Sequence, residues 1–554
     1  MAFLHSLFQL LSLSLLSLHI HAAPLIESDS VSSFPINKRD ASAYTPFTST
    51  CPSTPLVRPA IGLSTGEANY IASRKRVADV ALAKWLQSVN PEFCTLKVPG
   101  VGLASSGGGV KALLEGAGVI KAFDSRDSTV GTSGLYQGLL YHGGLSGGSW
   151  LVSSLAGNNW PTVSSLQTGL WEAAFRRTVI SPGKNTTANN ALIIKDIVSK
   201  HDAGFAVTIT DPWGRLLSYQ LLDGTDGGVA DRMSGLTNLS SFISHSVPYP
   251  IITALEVAPN QCTPGAGTPQ VEMHPYEWGS WDSGIAAFTP TAYLGTSVVD
   301  GNPTVSGKCI QNFDNLGFLV GTSSDLFSDL CIRNPSINSS NLEISFLEKF
   351  LKGVSTAQLS DEFSIYPNPF YRFKGSPLVS NQTELFLVDG GVAGQEIPIW
   401  PFIQPARADA ISVLIVNDNS GDTVDNFSNG TEIHTTYLQA QSQGLTRMPV
   451  IPPVSTFLSE GLNKQATFFG CHDPNVLTIV YLPNVAYNFP SNQSAFRLQY
   501  SANETAGMIA NGVLIGTQNG DANWPTCLGC AIVKKTGDSL PSACSACFEK
   551  YCYN

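Results

Sequence analysis

The chain has 554 residues, of which 43% are hydrophobic and only 13% are charged. This balance, with 50 glycines and 34 prolines spread without a period, excludes a disordered chain, a collagen and a coiled coil, and it indicates a folded, loop-rich globular protein. The formal net charge of −11 disfavours nucleic acid as a partner, and it disfavours docking on an anionic membrane by charge alone.

The N-terminus has the pattern of a secretory signal peptide over residues 1–22. Residues 3–20 are apolar and rich in Leu and Ser, and Ala22 and Ala23 supply the small residues of a cleavage site. Because the first residues include no Lys or Arg, an N-terminal membrane anchor stays open as the alternative. Residues 23–50 are expected to form a propeptide or a flexible segment, in which Lys38-Arg39 is either a processing site or a solvated charge pair.

The remaining sequence favours a secreted protein, extracellular or associated with a cell wall. It contains no stretch long and apolar enough for a transmembrane helix, and its C-terminus has no GPI signal. Eight Asn-x-Ser/Thr sequons predict glycosylation at the surface. The sequons begin at Asn185, Asn238, Asn338, Asn381, Asn426, Asn429, Asn492 and Asn503.

The eleven cysteines are sparse through the body of the chain and dense at its C-terminal end. In a secreted protein they predict disulfides, with one thiol left over. The pairs Cys527-x-x-Cys530 and Cys544-x-x-Cys547 also have the spacing of a zinc ribbon, which we regard as the weaker alternative.

In chain order, the first predicted element is a helix from Ser64, which opens a sequence with capping-box spacing, to about Ser88. Two strand-turn-helix units follow: residues 98–104 lead into three glycines and a helix through Phe123, and residues 139–141 lead into a second glycine-rich turn and another helix.

Three further buried strands are predicted downstream, over residues 384–388, 411–416 and 476–482. Together the elements predict an α/β fold with a central mixed, partly parallel sheet and helices on both faces. No repeat or linker divides the chain, so we expect one catalytic domain with insertions over residues 51–554, ending in a Cys-rich segment.

The second turn, Gly144-Leu145-Ser146-Gly147-Gly148, fits the G-x-S-x-G pattern, in which glycines permit a strained turn that presents a serine hydroxyl. A glycine-rich loop with a capping serine is the alternative. The triplet Gly107-Gly108-Gly109 upstream favours catalysis, because backbone N–H groups at the start of a helix can hold a developing oxyanion. Neither the P-loop nor the dinucleotide-binding glycine pattern is present.

A nucleophilic serine requires a base, and two candidates follow it. Asp389 comes directly after a predicted strand and before two glycines, although a turn is the commonest role of Asp-Gly. His472 would complete the Ser-Asp-His order of α/β-hydrolases, although it has the surroundings of an ordinary loop histidine.

The two glycine-rich segments around Gly107-Gly108-Gly109 and Ser146, together with later blocks of the sequence, resemble the fungal lysophospholipase/phospholipase B family, whose members are relatives of cytosolic phospholipase A2. The resemblance lies in the two glycine-rich blocks and in later blocks that occur in the family's order. The later blocks are Thr210-Asp211-Pro212-Trp213-Gly214-Arg215, Glu277-Trp278-Gly279-Ser280-Trp281-Asp282, Phe313-Asp314-Asn315-Leu316-Gly317-Phe318 with Gly321-Thr322-Ser323-Ser324, and Val388-Asp389-Gly390-Gly391 with Gly394-Gln395-Glu396-Ile397-Pro398.

The resemblance implies a fold like the catalytic domain of cytosolic phospholipase A2 and a Ser-Asp dyad without a catalytic histidine. Ser146 matches the family's nucleophile, Asp389 its base, and the Gly108 and Gly109 amides its oxyanion hole. The implied reaction hydrolyses fatty-acyl esters of phospholipids and lysophospholipids at lipid aggregates or membranes, without metal, other cofactor or obligate protein partner.

The chain departs from the family at Lys111, where members usually carry a phosphate-binding arginine. Lysine keeps the positive charge but loses the bidentate fork, which would weaken phosphate recognition or change the preferred headgroup. The alternative, which we favour, is a conservative replacement that still binds the phosphate. Two other functions stay open from the sequence alone: a Ser146-Asp389-His472 esterase, and a lipid-binding homologue that has lost catalysis.

Overall fold

The computed structural model describes residues 42–94, 97–258, 264–325, 327, 363–421 and 423–553. The predicted signal peptide, Lys38-Arg39, Asn338, Cys262 and Cys331 lie outside these residues. The chain divides after Ser42, and Ala43–Asn554 form one compact unit. This unit begins earlier than the boundary predicted at residue 51, because strand β1 (Phe47–Thr50) pairs with a later strand of the same unit.

Twelve strands of the described residues form one mixed sheet, in the order β15-β16-β14-β3-β4-β5-β6-β7-β8-β2, with β13 joining β5 to β12. The strands are β2 (Arg58–Pro59), β3 (Val101–Ser105), β4 (Leu139–Leu145), β5 (Tyr249–Val257), β6 (Gln270–Met273), β7 (Glu277–Ser280), β8 (Ala287–Pro290), β12 (Ser364–Pro367), β13 (Glu384–Val388), β14 (Val413–Asp418), β15 (Thr467–Phe469) and β16 (Thr478–Pro483). Two small antiparallel pairs, β1 with β11 (Lys308–Gln311) and β9 (Val298–Val299) with β10 (Asn302–Pro303), lie outside it.

Fifteen α-helices, many of them short, accompany the described part of the sheet. They are α1 (Thr65–Val89), α2 (Gly109–Phe123), α3 (Gly147–Gly157), α4 (Val163–Leu166), α5 (Glu172–Phe175), α6 (Thr186–Asp202), α7 (Thr210–Leu221), α8 (Ser240–Ile243), α9 (Leu316–Ser323), α10 (Trp400–Ile403), α11 (Thr431–Ser442), α12 (Val454–Ser459), α13 (Ala502–Gly516), α14 (Trp524–Val533) and α15 (Cys544–Tyr551). Among the described helices, none is both long and apolar enough to cross a membrane.

The strands at the centre of the sheet are apolar because they are covered on both faces. Strands β16, β14, β3, β4 and β5 run parallel, and every residue of each is buried. Buried parallel strands read as continuous hydrophobic runs, which is why the sequence located all of them except β5. Their carboxyl ends meet at one end of the sheet, so the loops that follow β3 and β4 are neighbours.

The helix predicted from Ser64 spans Thr65–Val89, and the Ser64 hydroxyl accepts the Glu67 N–H at 3.0 Å, as the capping pattern indicates. One face of this helix, which includes Leu82 and Trp85, is buried in the core. Helix α1 therefore packs in the same core as the helices that follow β3 and β4.

Four disulfides join described cysteines, and they settle the alternatives left open for the C-terminal cluster. The two Cys-x-x-Cys pairs bond across helices α14 and α15, as Cys527–Cys547 and Cys530–Cys544. The other two bonds are Cys51–Cys309, which ties β1 to β11, and Cys471–Cys552. Cys94 is an exposed free thiol.

Candidate active site

Ser146 occupies a strained turn between β4 and α3. Its φ of 50° and ψ of −120° lie where residues with a side chain are uncommon, a conformation that typically costs about 1–3 kcal/mol. The surrounding backbone enforces it: the Ser146 N–H donates to both the carbonyl and the hydroxyl oxygen of Ser323, at 3.1 and 3.2 Å. The turn presents the serine at the carboxyl end of the parallel strands.

The glycines beside Ser146 permit a close approach to the loop after β3. A methyl group built on Gly147 would lie 2.2 Å from the carbonyl oxygen of Gly109, and one on Gly148 would lie 2.1 Å from that of Ser105. Such distances exclude any side chain at either position. The G-x-S-x-G pattern therefore brings the backbone of Ser146 against the glycine triplet.

The amides of Gly108 and Gly109 open helix α2. Gly108 caps the helix with a φ of 121°, and Gly109 is its first residue with a φ of 66°. The first N–H groups of a helix have no acceptor within the helix and carry partial positive charge. The Gly107 N–H, in contrast, donates to the Glu396 carbonyl at 2.9 Å. The amides of Gly108 and Gly109 thus lie at the helix start, where backbone N–H groups can hold a negatively charged oxygen.

The sheet pairing brings the ends of β4 and β13 together. At Ile252, strand β5 pairs with β6 on one edge and with β4 on the other. At Leu255, it pairs with β6 on one edge and with β13 on the other. Strands β4 and β13 therefore lie along the same edge of β5. They approach from opposite directions. Leu145 pairs with Thr253 and Val388 with Leu255, which is a separation of about 7 Å along β5. Ser146 and Asp389 are the next residues of these two converging strands.

Asp389 is buried and held by its own turn. Its exposure is 2%, and its Oδ1 accepts the Gly391 N–H at 2.8 Å. Its main-chain N–H donates to the Asp325 carbonyl at 3.2 Å. The segment 323–325, at the carboxyl end of α9, thus binds the backbone of Ser146 through one residue and the backbone of Asp389 through another.

Glu396 is a further carboxylate beside these residues, and it was not among the residues predicted for the site. A methyl group built on Gly107 would lie 2.6 Å from Glu396 Oε1 and 2.9 Å from Ser146 Cβ. One built on Gly391 would lie 3.0 Å from Glu396 Cγ and 3.3 Å from Asp389 Oδ1. The Glu396 side chain therefore lies between the two glycines that border the serine and the aspartate.

Lys111 lies within the first turn of α2 and is fully buried. Its ammonium donates to the carbonyls of Ser420 and Asn426, both at 3.2 Å. One turn further along α2, burial raises the pKa of Glu115 well above its usual range, and the charge of Lys111 opposes this rise. Lys111 therefore places its ammonium group between the carbonyls of Ser420 and Asn426, next to the glycine triplet.

The structure does not bring His472 to Ser146. His472 is exposed in the turn after β15, and three strands separate β15 from β4, a distance of about 19 Å across the sheet. Because β15 is antiparallel to β16, its carboxyl end also faces the end of the sheet opposite Ser146. Ser146, Asp389 and His472 therefore follow the residue order of an α/β-hydrolase triad, but His472 does not lie near Ser146 in the fold.

His142 lies in β4 with both ring nitrogens engaged. They contact the hydroxyls of Ser105 and Tyr136 at 3.0 and 3.1 Å. Burial lowers the pKa of His142 to about 3, so the ring is neutral at physiological pH. Among the described residues, no hydrogen bond joins a histidine to Ser146.

The sequons fall into two groups by exposure. Four of the sequon asparagines are exposed: Asn185, Asn238, Asn381 and Asn503. Three others are half-buried: Asn426, Asn429 and Asn492. In the ranges that the structure covers, no group of three or more His, Cys, Asp or Glu side chains is arranged to hold a metal ion.

Comparison with known proteins identifies the chain's relatives. A family model described as lysophospholipase catalytic domain matches residues 101–554. The chain is 36% identical to Lysophospholipase 2 of Aspergillus fumigatus, over 94% of this chain and 95% of the relative. It is 35% identical to Probable lysophospholipase 3 of Schizosaccharomyces pombe, over 94% and 84%.

The fold is similar to that of human GIVD cytosolic phospholipase A2. The TM-score is 0.70 at 18% sequence identity, over 88% of this chain and 72% of that one. This similarity confirms the α/β fold class and the architecture that the sequence predicted. The family model and the curated relatives confirm the family resemblance, and the protein accordingly belongs to the lysophospholipase family of ester-hydrolysing enzymes.

Proposed function

We propose that the protein is a secreted lysophospholipase/phospholipase B in which Ser146 is the nucleophile and Asp389 the general base. The convergence of β4 and β13 on one side of β5 carries this proposal, because it brings the two residues from 243 positions apart to the same end of the sheet. The strained turn at Ser146 and the adjacent helix amides support it. The substrates are phospholipids and lysophospholipids.

In the acylation step, the Ser146 hydroxyl attacks the carbonyl carbon of the fatty-acyl ester while its proton passes to the Asp389 carboxylate. The tetrahedral intermediate places negative charge on the former carbonyl oxygen, where the Gly108 and Gly109 amides stabilise it. The ester C–O bond then breaks, Asp389 returns the proton to the leaving glyceryl oxygen, and the fatty acyl group stays on Ser146.

In the deacylation step, water attacks the acyl carbonyl and gives a proton to Asp389. The bond to Ser146 breaks, the serine oxygen takes that proton, and free fatty acid leaves. An aspartate can serve as the base because a carboxylate shielded from water binds a proton more readily than one in solution. Asp389, at 2% exposure, is shielded in this way.

Two classes of experiment on the purified full chain test this proposal. The first is release of fatty acid from lysophosphatidylcholine and phosphatidylcholine vesicles. The second is labelling by an alkyl fluorophosphonate, which reacts with an activated serine. Release with labelling at Ser146 supports the enzyme, whereas lipid binding without either would mean a homologue that has lost catalysis.

Secretion is supported by the four disulfides and by exposed sequons, and it predicts a processed N-terminus. When the full gene product is expressed in a eukaryotic secretory host, we expect it in the medium, beginning at or after residue 23. We expect glycans on Asn185, Asn238, Asn381 and Asn503. Peptide mass spectrometry measures both, and protein retained in cells with Met1 intact would contradict secretion.

We also propose that Lys111 attracts the substrate phosphate through its charge. Replacing it by Met is expected to raise KM for lysophosphatidylcholine about tenfold, the size of one charge-assisted interaction, while turnover of p-nitrophenyl butyrate, which has no phosphate, changes little. Lys111→Arg is the matched control that keeps the charge. Equal losses with both substrates would contradict phosphate binding and would mean that Lys111 only anchors the loop 420–426.

A further inference from the structure

Ser323, the last residue of helix α9, contacts the Ser146 turn with both its main chain and its side chain. The Ser146 N–H donates to the carbonyl oxygen of Ser323 at 3.1 Å and to its hydroxyl oxygen at 3.2 Å. The Ser323 hydroxyl in turn donates to the Thr253 carbonyl of β5 at 2.7 Å. A single buried hydroxyl group therefore joins the turn to the neighbouring strand.

The strand register places this bridge at the base of the turn. Thr253 is the partner of Leu145 in the pairing of β5 with β4, and Leu145 is the residue before Ser146. The bridge therefore links Ser146 to β5 at the point where β4 ends. Ser323 has no exposed surface, so water does not compete for these hydrogen bonds, which are stronger in such surroundings.

The Ser146 turn depends on support of this kind because its backbone is strained. A φ of 50° with a ψ of −120° lies outside the regions that a residue with a side chain usually adopts, and such a conformation persists only where the surrounding structure fixes it. The angle φ sets the direction of the side chain relative to the N–H, so the two hydrogen bonds to Ser323 help to hold the Ser146 side chain. Relaxation of the turn would move its Cβ, which now lies 2.9 Å from a methyl group built on Gly107, away from the glycine triplet.

The segment around this serine is fixed to three other elements of the fold. The Thr322 hydroxyl shares a hydrogen bond of 2.6 Å with the Tyr366 hydroxyl of β12. Asp325 Oδ2 accepts the Thr210 hydroxyl of α7 at 2.6 Å, and the Asp325 carbonyl accepts the Asp389 N–H at 3.2 Å. The segment that holds the turn of the proposed nucleophile is therefore itself held, and it also contacts the proposed base.

We propose that Ser323 is a positioning residue for the hydrolytic reaction: its hydroxyl group, which bridges the Ser146 N–H and the Thr253 carbonyl, keeps the strained turn in the conformation that presents Ser146 to the glycine triplet. This inference rests on the proposed role of Ser146 as the nucleophile. It assigns Ser323 no contact with the substrate and no part in proton transfer.

The first test is Ser323→Ala, which removes the hydroxyl group but keeps the main-chain carbonyl that also accepts the Ser146 N–H. We expect kcat for fatty-acid release from lysophosphatidylcholine to fall about 10-fold to 100-fold, because a small displacement of a reacting group has an effect of this size. KM should stay within about twofold of wild type, since the substrate site is unchanged. The rate at which an alkyl fluorophosphonate modifies Ser146 should fall by the same factor as kcat.

Ser154→Ala is the matched control for a loss of stability alone. The Ser154 hydroxyl is also buried, donates to the Leu221 carbonyl at 2.6 Å and accepts the Trp171 indole N–H at 3.1 Å, about two turns along α3 from the strained turn. It should lower the melting temperature as Ser323→Ala does, but leave kcat and the modification rate within a fewfold of wild type. In Ser323→Cys, a thiol of similar size makes weaker hydrogen bonds, so kcat should lie between those of Ser323→Ala and wild type. This variant tests the inference where Ser323→Ala does not fold.

A wild-type kcat in Ser323→Ala, or losses of kcat and modification rate no larger than those in Ser154→Ala, would overturn the inference. A raised KM with unchanged kcat would also overturn it, because it would mean that Ser323 acts on substrate binding. If Ser146→Ala is inactive while Ser323→Ala keeps wild-type kinetics, only the role of Ser323 fails. If Ser146→Ala remains fully active, the proposed function fails instead.

Discussion

Replacing Ser146 by alanine is expected to lower kcat for fatty-acid release from lysophosphatidylcholine by about 10⁶-fold, the loss seen when a serine nucleophile is removed. The reason is that Ser146 carries the one hydroxyl of the turn Gly144–Gly148 at the end of β4, where its φ of 50° places its side chain beside the glycine triplet, with Cβ 2.9 Å from a methyl group built on Gly107. A radiolabelled fatty-acid release assay with purified enzyme has the range to measure it.

Ser154→Ala is the matched control for this variant. Ser154 lies in α3, the helix that follows Ser146, is also buried, and donates its hydroxyl to the Leu221 carbonyl at 2.6 Å. Its loss takes away the acceptor of the buried Trp171 Nε1–H, which donates to it at 3.1 Å, while the Leu221 carbonyl keeps the Asn158 amide as a donor. This is expected to cost about 1–3 kcal/mol of stability and to leave kcat within a fewfold of wild type. Turnover retained by Ser146→Ala would contradict the assignment of the nucleophile.

Replacing Asp389 by asparagine is expected to lower kcat by about 10⁴-fold with little change in KM, because the amide cannot accept the serine proton. Asparagine retains an oxygen that can accept the Gly391 N–H, so the turn that Asp389 caps should persist. Thermal unfolding of the variant measures whether it does.

His472→Ala serves as the control for the base. Because His472 is exposed and lies at the opposite end of the sheet from Ser146, this variant should keep wild-type kcat. A loss of activity in His472→Ala comparable with that in Asp389→Asn would contradict a dyad and restore the Ser-Asp-His alternative.

The sequence located the buried parallel strands well, since β3, β4, β14 and β16 are continuous apolar runs bounded by turn residues. It also located the glycine-rich turns, because only glycine tolerates the backbone approach now seen between Gly147 and Gly109. Apolar strands and glycine-rich turns can be predicted in this way because each depends on residues that are adjacent in the sequence.

Long-range pairing was harder to predict. The sequence placed Asp389 after a strand, but it did not show that β13 runs antiparallel to β5 and meets β4 end to end. The same limit made His472 a candidate, because residue order carries no information on which end of a sheet a loop occupies. Strand β1 lies before residue 51, the first residue of the predicted catalytic domain, and its four residues are stabilised by pairing with β11 rather than by an apolar pattern.

The positions of Asp325 and Glu396 near Asp389 were not predicted, for a related reason. Both residues fall in or beside blocks that carry the family resemblance, yet an acidic residue in a loop is usually solvated, and nothing in the neighbouring sequence indicates burial. Contacts with the distant Thr210 and Ser364 bury Asp325, and the glycine triplet and the turn after β13 border Glu396.

The dyad is tested most directly by the rate at which an alkyl fluorophosphonate modifies the enzyme, with the modified residue mapped by peptide mass spectrometry. We predict a single adduct on Ser146, formed at the same rate in wild type and His472→Ala and at least about 10³-fold more slowly in Asp389→Asn. An adduct on another residue, or equally fast modification in Asp389→Asn, would contradict activation of Ser146 by Asp389.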